Sequence, residues 1–229
     1  CKNRAGKKCP PWVLQSKKIK HDLAKKTIYY DNVVLKVYDF PIFFSPKFSH
    51  PDPTVKRASG FLAPAFANST TLGSGIATPY FLNIAKDRDL TLTPKIYVKE
   101  NPLLLAEYRQ DFLNSFLIVD AGYTKGYKKK DQKKSEGGRA HFFSNFNMSF
   151  LDSNNKRSSL ELNLEKVSND TYLKVYDVDS ILVDENQTIL ENKIDFVYQD
   201  NDFYFGLTPS IFEDTNKLER KRYEYLLWR

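Results

Sequence analysis

The sequence predicts an all-β protein of antiparallel strands, and three observations carry that prediction. Apolar and polar residues alternate through most of the chain, the connections alternate between short and long, and a proline-rich stretch separates a first β region from the rest. In residues 89–99, Leu90, Leu92, Ile96 and Val98 share one side while Thr91, Thr93, Lys95, Tyr97 and Lys99 share the other. That is period two, the mark of a strand with one apolar face.

Taken in order, residues 12–18, 25–30 and 33–38 read as short strands, with His21, Asp22, Asp31 and Asn32 at the turns. Pro41, Pro46, Pro51 and Pro53 follow, each lacking a backbone donor, so residues 40–53 are expected to form a stiff link rather than a strand. Nine longer strands come next, at residues 60–69, 75–83, 89–99, 103–110, 115–124, 138–151, 158–167, 189–199 and 203–212. In the sixth, Ala140, Phe142, Phe146, Met148 and Phe150 oppose Arg139, His141, Asn145, Asn147 and Ser149. In the seventh, Leu160, Leu162 and Leu164 oppose Ser159, Glu161, Asn163 and Glu165.

Connections after even strands are short (84–88, 111–114, 152–157), and the longest follow odd ones (125–137, 168–188). Up-and-down topology puts each set at one end, as in an outer-membrane barrel with short periplasmic turns and longer outer loops. The connection at Asn101 and Pro102 is short and breaks the parity. A water-soluble antiparallel sandwich with one wet face gives the same alternation, so the pattern alone leaves both architectures open.

Composition narrows the function classes. The 229 residues are 41% hydrophobic, yet the longest apolar runs, such as 116–119, fall far short of the roughly 20 residues of a spanning helix. A barrel strand needs only about ten. The net charge of +7 is concentrated in residues 1–26 and 125–134, where lysine runs read as solvated segments. No nucleic-acid-binding motif accompanies them, so no nucleic-acid partner is expected. Only His21, His50 and His141 are present, and none lies in a nucleophile motif. No enzyme, cofactor or metal site is expected. Cys1 and Cys9 are the only cysteines and the only disulfide candidates, with connectivity open. An opening Cys in place of Met, and an end at Trp228 and Arg229 within a new strand, are what an internal segment of a longer protein would show.

Several collinear motifs add a resemblance. FFSPKFSHPDP at residues 43–53, then Lys56, Arg57, Ser59, Gly60, Phe61, Leu62 and Pro64, PYFLNIA at 79–85 and DRDLTLTP at 87–94 resemble the LPS-assembly protein LptD (OstA) family. The similarity extends upstream to Pro11, Trp12 and KTIYYDNVVLKV, and downstream through Glu107, Tyr108 and Arg109 to Asp170, Thr171 and Tyr172.

The resemblance implies the end of a periplasmic β-jellyroll with its linker (1–57), followed by the first strands of an incomplete antiparallel transmembrane β-barrel (58–229). It implies lipopolysaccharide transport at the outer membrane through a barrel lumen and a lateral gate, with an LptE-like lipoprotein plug, an LptA-like periplasmic bridge and outer-membrane lipid as partners. Pro64 and Pro79 fall on the family's gate prolines, each deleting a ladder donor near the closing seam. Ile28, Tyr30, Val33, Leu35 and Val37 fall where a jellyroll groove would hold acyl chains, and Cys1 matches a disulfide position. The alternative is a general outer-membrane pore or a soluble glycan-binding β-sandwich module.

Overall fold

The computed structural model describes residues 12–128, 137–150, 156–217 and 223–226, so Cys1 and Cys9 lie outside the described residues. The chain divides into two units, Cys1–Gly60 and Phe61–Arg229.

The first unit holds a three-stranded antiparallel meander, β1 (Trp12–Asp22), β2 (Thr27–Val37) and β3 (Phe40–Pro51). Asp22 Oδ1 accepts from the Lys25 N–H at 3.0 Å to close the first turn. Val37 pairs with Phe40 across a two-residue loop, Tyr38 and Asp39, both at positive φ (47° and 69°). That is the hairpin geometry whose twist matches the strands it joins.

Residues 40–51 are therefore a strand, which corrects the expected link. Among the described residues β3 pairs only with β2 and forms an outer strand of this sheet, the position where missing donors are tolerated. Its register slips beside Pro41, where Ile42 is passed over between the pairs Lys36–Pro41 and Leu35–Phe43. A bulge of this kind absorbs the proline.

The second unit is one antiparallel sheet. Its strands are β4 (Gly60–Phe61), β5 (Ala65–Ser69), β6 (Gly73–Ala77), β7 (Tyr80–Asn83), β8 (Arg88–Tyr97), β9 (Leu103–Asp111), β10 (Ser115–Thr124), β11 (Arg139–Phe150) and β12 (Arg157–Val167). After a short helix, α1 (Tyr172–Tyr176), come β13 (Ile189–Gln199), β14 (Tyr204–Leu207), β15 (Ser210–Asp214) and β16 (Tyr223–Leu226). The path runs from β5 through β6 and β8 to β13, β15 and β16, with β4 paired to β7, β7 also to β8, and β14 to β13. Among the described residues the sheet is not closed.

All nine expected strands are present, and three of them are split. Each split holds a proline: Pro64 between β4 and β5, Pro79 between β6 and β7, and Pro209 between β14 and β15. In this sheet Pro94 stays within a strand, β8.

The register builds two chemically opposed faces. Leu117, Phe146, Leu162 and Ile194 stand side by side on one face of β10 to β13. One residue along each strand, Ile118, Asn145, Asn163 and Lys193 stand on the other, next to the row Glu107, Asp120, Phe143 and Glu165. The apolar face is open: Leu162 is 37% exposed and Leu164 46%. The polar face is the covered one at one end of the sheet. There Tyr172, Leu173, Tyr176, Val178 and Val183 pack with Leu72, Tyr97, Leu103, Phe143, Val167 and Leu190.

Candidate functional site

The outermost strands carry a line of interruptions. Ala65 pairs with Ala77, and the Leu62 N–H donates to the Pro79 carbonyl at 2.9 Å. Between these anchors two residues, Ala63 and Pro64, oppose one, Thr78, which makes a β-bulge in the outermost strand. On the other side of Thr78 lies Pro94, whose carbonyl accepts the Thr78 N–H at 3.1 Å. The pairs Ala77–Lys95 and Tyr80–Leu92 flank this point in constant register, so Thr78 sits opposite Pro94 and Pro79 opposite Thr93. In a regular ladder each narrow pair exchanges two hydrogen bonds. Leu62–Pro79 and Thr78–Pro94 can each make only one, because neither proline has an N–H.

Three prolines from three neighbouring strands thus meet at one level of the sheet. Pro64 and Pro79 are brought together as opposite sides of the same break. Pro94, expected only to end or bend a strand, belongs to that break as well.

The second component is the segment 168–188, which folds back over the polar face. Its helix is five residues long and stops at Asp177, in the left-handed region at φ 51°, with the Val178 N–H returning to the Leu173 carbonyl at 3.0 Å. Carbonyls at a helix C-terminus need outside donors. β8 supplies them: Lys95 Nζ donates to the carbonyls of Asp177 (2.5 Å) and Tyr176 (3.4 Å), and Tyr97 Oη donates to Tyr176 at 3.4 Å. Lys95 directly follows Pro94, so the strand that carries the break also holds the covering segment.

A second hold lies at the N-terminal end of α1. His141 is buried, with Nδ1 3.1 Å from Tyr172 Oη and Nε2 3.1 Å from Asp120 Oδ1, and its ring stacks on Phe143 at 4.6 Å. Gly122 stands opposite because any Cβ there would lie 2.5 Å from the His141 ring. His141 is therefore on the polar face, and there it is covered. Glu165 is likewise covered, accepting from Asn163 (3.0 Å), Gln187 (2.8 Å) and the Glu191 N–H (3.0 Å). Burial raises the Tyr172 hydroxyl above its ordinary 10.0 and pushes that of Tyr176 up to about 12, with neighbouring tyrosines adding to both shifts.

The sequence did not single out this segment. Its signal was Tyr172, Leu173 and Tyr176 at helical spacing inside a connection otherwise rich in Asp and Asn.

In the first unit, β2 carries Ile28 and Tyr30 before Asn32, whose positive φ (52°) interrupts the alternation, and Val33, Leu35 and Val37 after it. Val33 is fully buried. Tyr30 Oη contacts His50 Nε2 at 2.7 Å, and Tyr30, Phe48 and His50 form an aromatic group. Among the described residues no group of His, Cys, Asp and Glu has the arrangement of a metal site.

No family model matches the chain. Curated relatives do. The LPS-assembly protein LptD of Pseudomonas aeruginosa is 34% identical over 120 residues, 51% of this chain and 13% of that protein. LptD of Shewanella oneidensis is 37% identical over 105 residues, 44% of this chain and 14% of its own length. LptD of Legionella pneumophila is 26% identical over 203 residues, 85% of this chain and 24% of its own. The chain thus spans about a quarter or less of the length of these relatives.

Proposed function

We propose that this chain, which by sequence belongs with the LPS-assembly protein LptD family, supplies the end of a periplasmic jellyroll and the gate-side strands of an outer-membrane barrel. In this role it carries lipopolysaccharide to the outer leaflet. The single observation that carries the proposal is the coincidence of Pro64, Pro79 and Pro94 at one level of the outermost strands, where ladder bonds are missing.

A barrel closes by pairing its first strand with its last. An amphiphile with a large sugar moiety needs both a polar passage and a sideways exit for its acyl chains. Two neighbouring inner rows, one with Glu107 and Asp120 and the next with Asn145 and Asn163, suit the first requirement, and a bulged, donor-poor edge suits the second. The segment 168–188 closes the passage at rest, and Lys95 and His141 hold it there. An LptE-like lipoprotein and an LptA-like bridge are the partners that fit this assignment.

The two faces also favour a membrane over the soluble sandwich. A sandwich would cover its apolar face with a second sheet, whereas here the packed segment covers the polar face and leaves Leu162 and Leu164 open. A general pore has no need of a weakened seam. The test is delivery of lipopolysaccharide to the cell surface in a strain that depends on the full-length protein. Loss of delivery on depletion, with other barrels still assembled, is expected; unchanged surface lipopolysaccharide would reject the proposal.

A further inference from the structure

Three connections at one end of the larger sheet are tied to one another. β8–β9, β10–β11 and β12–β13 are alternate turns of an antiparallel path, so residues 98–102, 125–138 and 168–188 leave the sheet at the same end. In the middle one, residues 125–128 and 137–138 form a stem. Gly126 turns at φ 83°, where a Cβ would lie 2.2 Å from the Gly137 carbonyl oxygen, so the two sides of the stem meet there. The short connection 98–102 is its buttress. Asn101 Nδ2 donates to the Gly126 carbonyl at 3.0 Å, and buried Glu100 accepts the Lys128 N–H on Oε2 at 2.6 Å.

Beside the stem lies the covering segment. Buried Arg139 donates from Nη1 to Asn169 Oδ1 at 2.7 Å, and its guanidinium lies over the Tyr127 ring, 4.8 Å from the centroid. Tyr127 stacks on Tyr176, with centroids 6.3 Å apart. The contacts Asn169–Arg139–Tyr127–Tyr176 therefore begin and end on the segment 168–188 and pass through its neighbour. Lifting the segment alone would break that circuit at both ends and deprive a buried guanidinium of an acceptor, which is costly.

We infer, building on the proposed closure of the passage by residues 168–188, that the stem and this segment open as one unit. Arg139 and Tyr127 are the positioning residues that couple them. A contact made on the stem is thereby felt at the passage.

The test follows amide hydrogen exchange, read on peptides by mass spectrometry, in the full-length protein purified with its outer-membrane partners. The Lys128 N–H reports the stem. The Val175 and Val178 N–H groups, bonded to the Thr171 and Leu173 carbonyls at 2.9 and 3.0 Å, report the segment. Asn101→Ala and Glu100→Gln are both made in the buttress, outside stem and segment. Each should speed exchange about fivefold or more in residues 125–128 and 172–178 alike. Faster exchange confined to 125–128, or no change in either stretch, would overturn the coupling. Arg139→Lys keeps the charge but loses the flat stack on Tyr127. On that background Asn101→Ala should speed 125–128 alone, and continued spread to 172–178 would overturn the role of Arg139.

If the buttress variants do not fold, the unmodified protein decides. Across a series of mild denaturant concentrations the protection of the two stretches should fall along one curve, and two separate curves would overturn the inference. Surface lipopolysaccharide on depletion of the unmodified protein is scored in parallel. Unchanged lipopolysaccharide there removes the transport role and leaves the coupling standing, whereas separate exchange removes only the coupling.

Discussion

Thr78 gives its backbone N–H to the Pro94 carbonyl at 3.1 Å, and Pro94 has none to give back. The same one-way bond joins Leu62 to Pro79 on the other side of the break. Giving positions 64 and 79 an N–H permits extra ladder bonds, each worth about 1 kcal/mol net. Replacing Pro64 and Pro79 together in the full-length protein should therefore tighten the seam and impair lipopolysaccharide delivery. Barrel folding and outer-membrane abundance should be largely kept, and the loss should exceed that from changing Pro94 alone. Surface lipopolysaccharide and outer-membrane permeability are the measurements, and normal delivery at normal protein level would return both prolines to simple strand breaking.

The two faces make a prediction about solvent. Nitroxide labels at Leu160, Leu162 and Leu164 should collide with oxygen in lipid, while one at Glu161 should collide with a water-soluble relaxer. A one-residue register slip would exchange the two sets. Glu165 should be protected from both reagents until the segment 168–188 is removed, because Gln187 of that segment closes over it. Equal water access at Leu162 and Glu161 would contradict a membrane barrel.

Orientation follows from the connections. Residues 125–137 are expected outside the cell and residues 152–157 in the periplasm, although much of both stretches lies outside the described residues. A tag beside Gln132 should be labelled on intact cells and one beside Asn155 should not. The reverse result would invert the strand count.

His141→Phe keeps the stack on Phe143 but leaves Asp120 and the Tyr172 hydroxyl without their partner. The cost is about 1–3 kcal/mol. The expected readout is a higher ion conductance of the purified protein in a planar bilayer, since the covering segment loses one of its holds. Conductance equal to that of the unmodified protein would show that Lys95 and packing suffice.

Alkali should loosen the same segment. Tyr172 and Tyr176 titrate higher when folded than the ordinary 10.0, so their contribution is complete below pH 10 and is lost as the pH rises toward about 12. Tyrosinate absorbance should lag in the folded protein across that window, and conductance should rise with it. A single midpoint near 10 for all tyrosines would contradict their burial.

The strands were legible because period-two alternation is a local property. Residues 115–124 and 189–199 have the same limits in sequence and structure. Proline was harder to interpret, because its effect depends on what lies beside it. Pro41, Pro46 and Pro51 looked like a link but sit in β3, whose second side has no partner strand among the described residues. Pro64 and Pro79 were found as donor deletions, yet their meeting with Pro94 needs the register of three strands, which no single segment encodes. Lys95 and His141 were hidden for a similar reason. Each holds a segment at least 31 positions away in the chain, and the pairing exists only once that segment has folded back.

The bulge at Ala63 and Pro64 also bears on what happens before the barrel is complete. A newly exported β chain presents a raw flank to every other chain around it, and a long straight flank is the usual nucleus of sheet-to-sheet aggregation. Here that flank is cut into pieces of two and five residues, β4 and β5, with a kink and a missing donor between them. Another copy can find no continuous template on it. In the proposed barrel, the irregularity that would weaken the seam would also keep the open edge solitary.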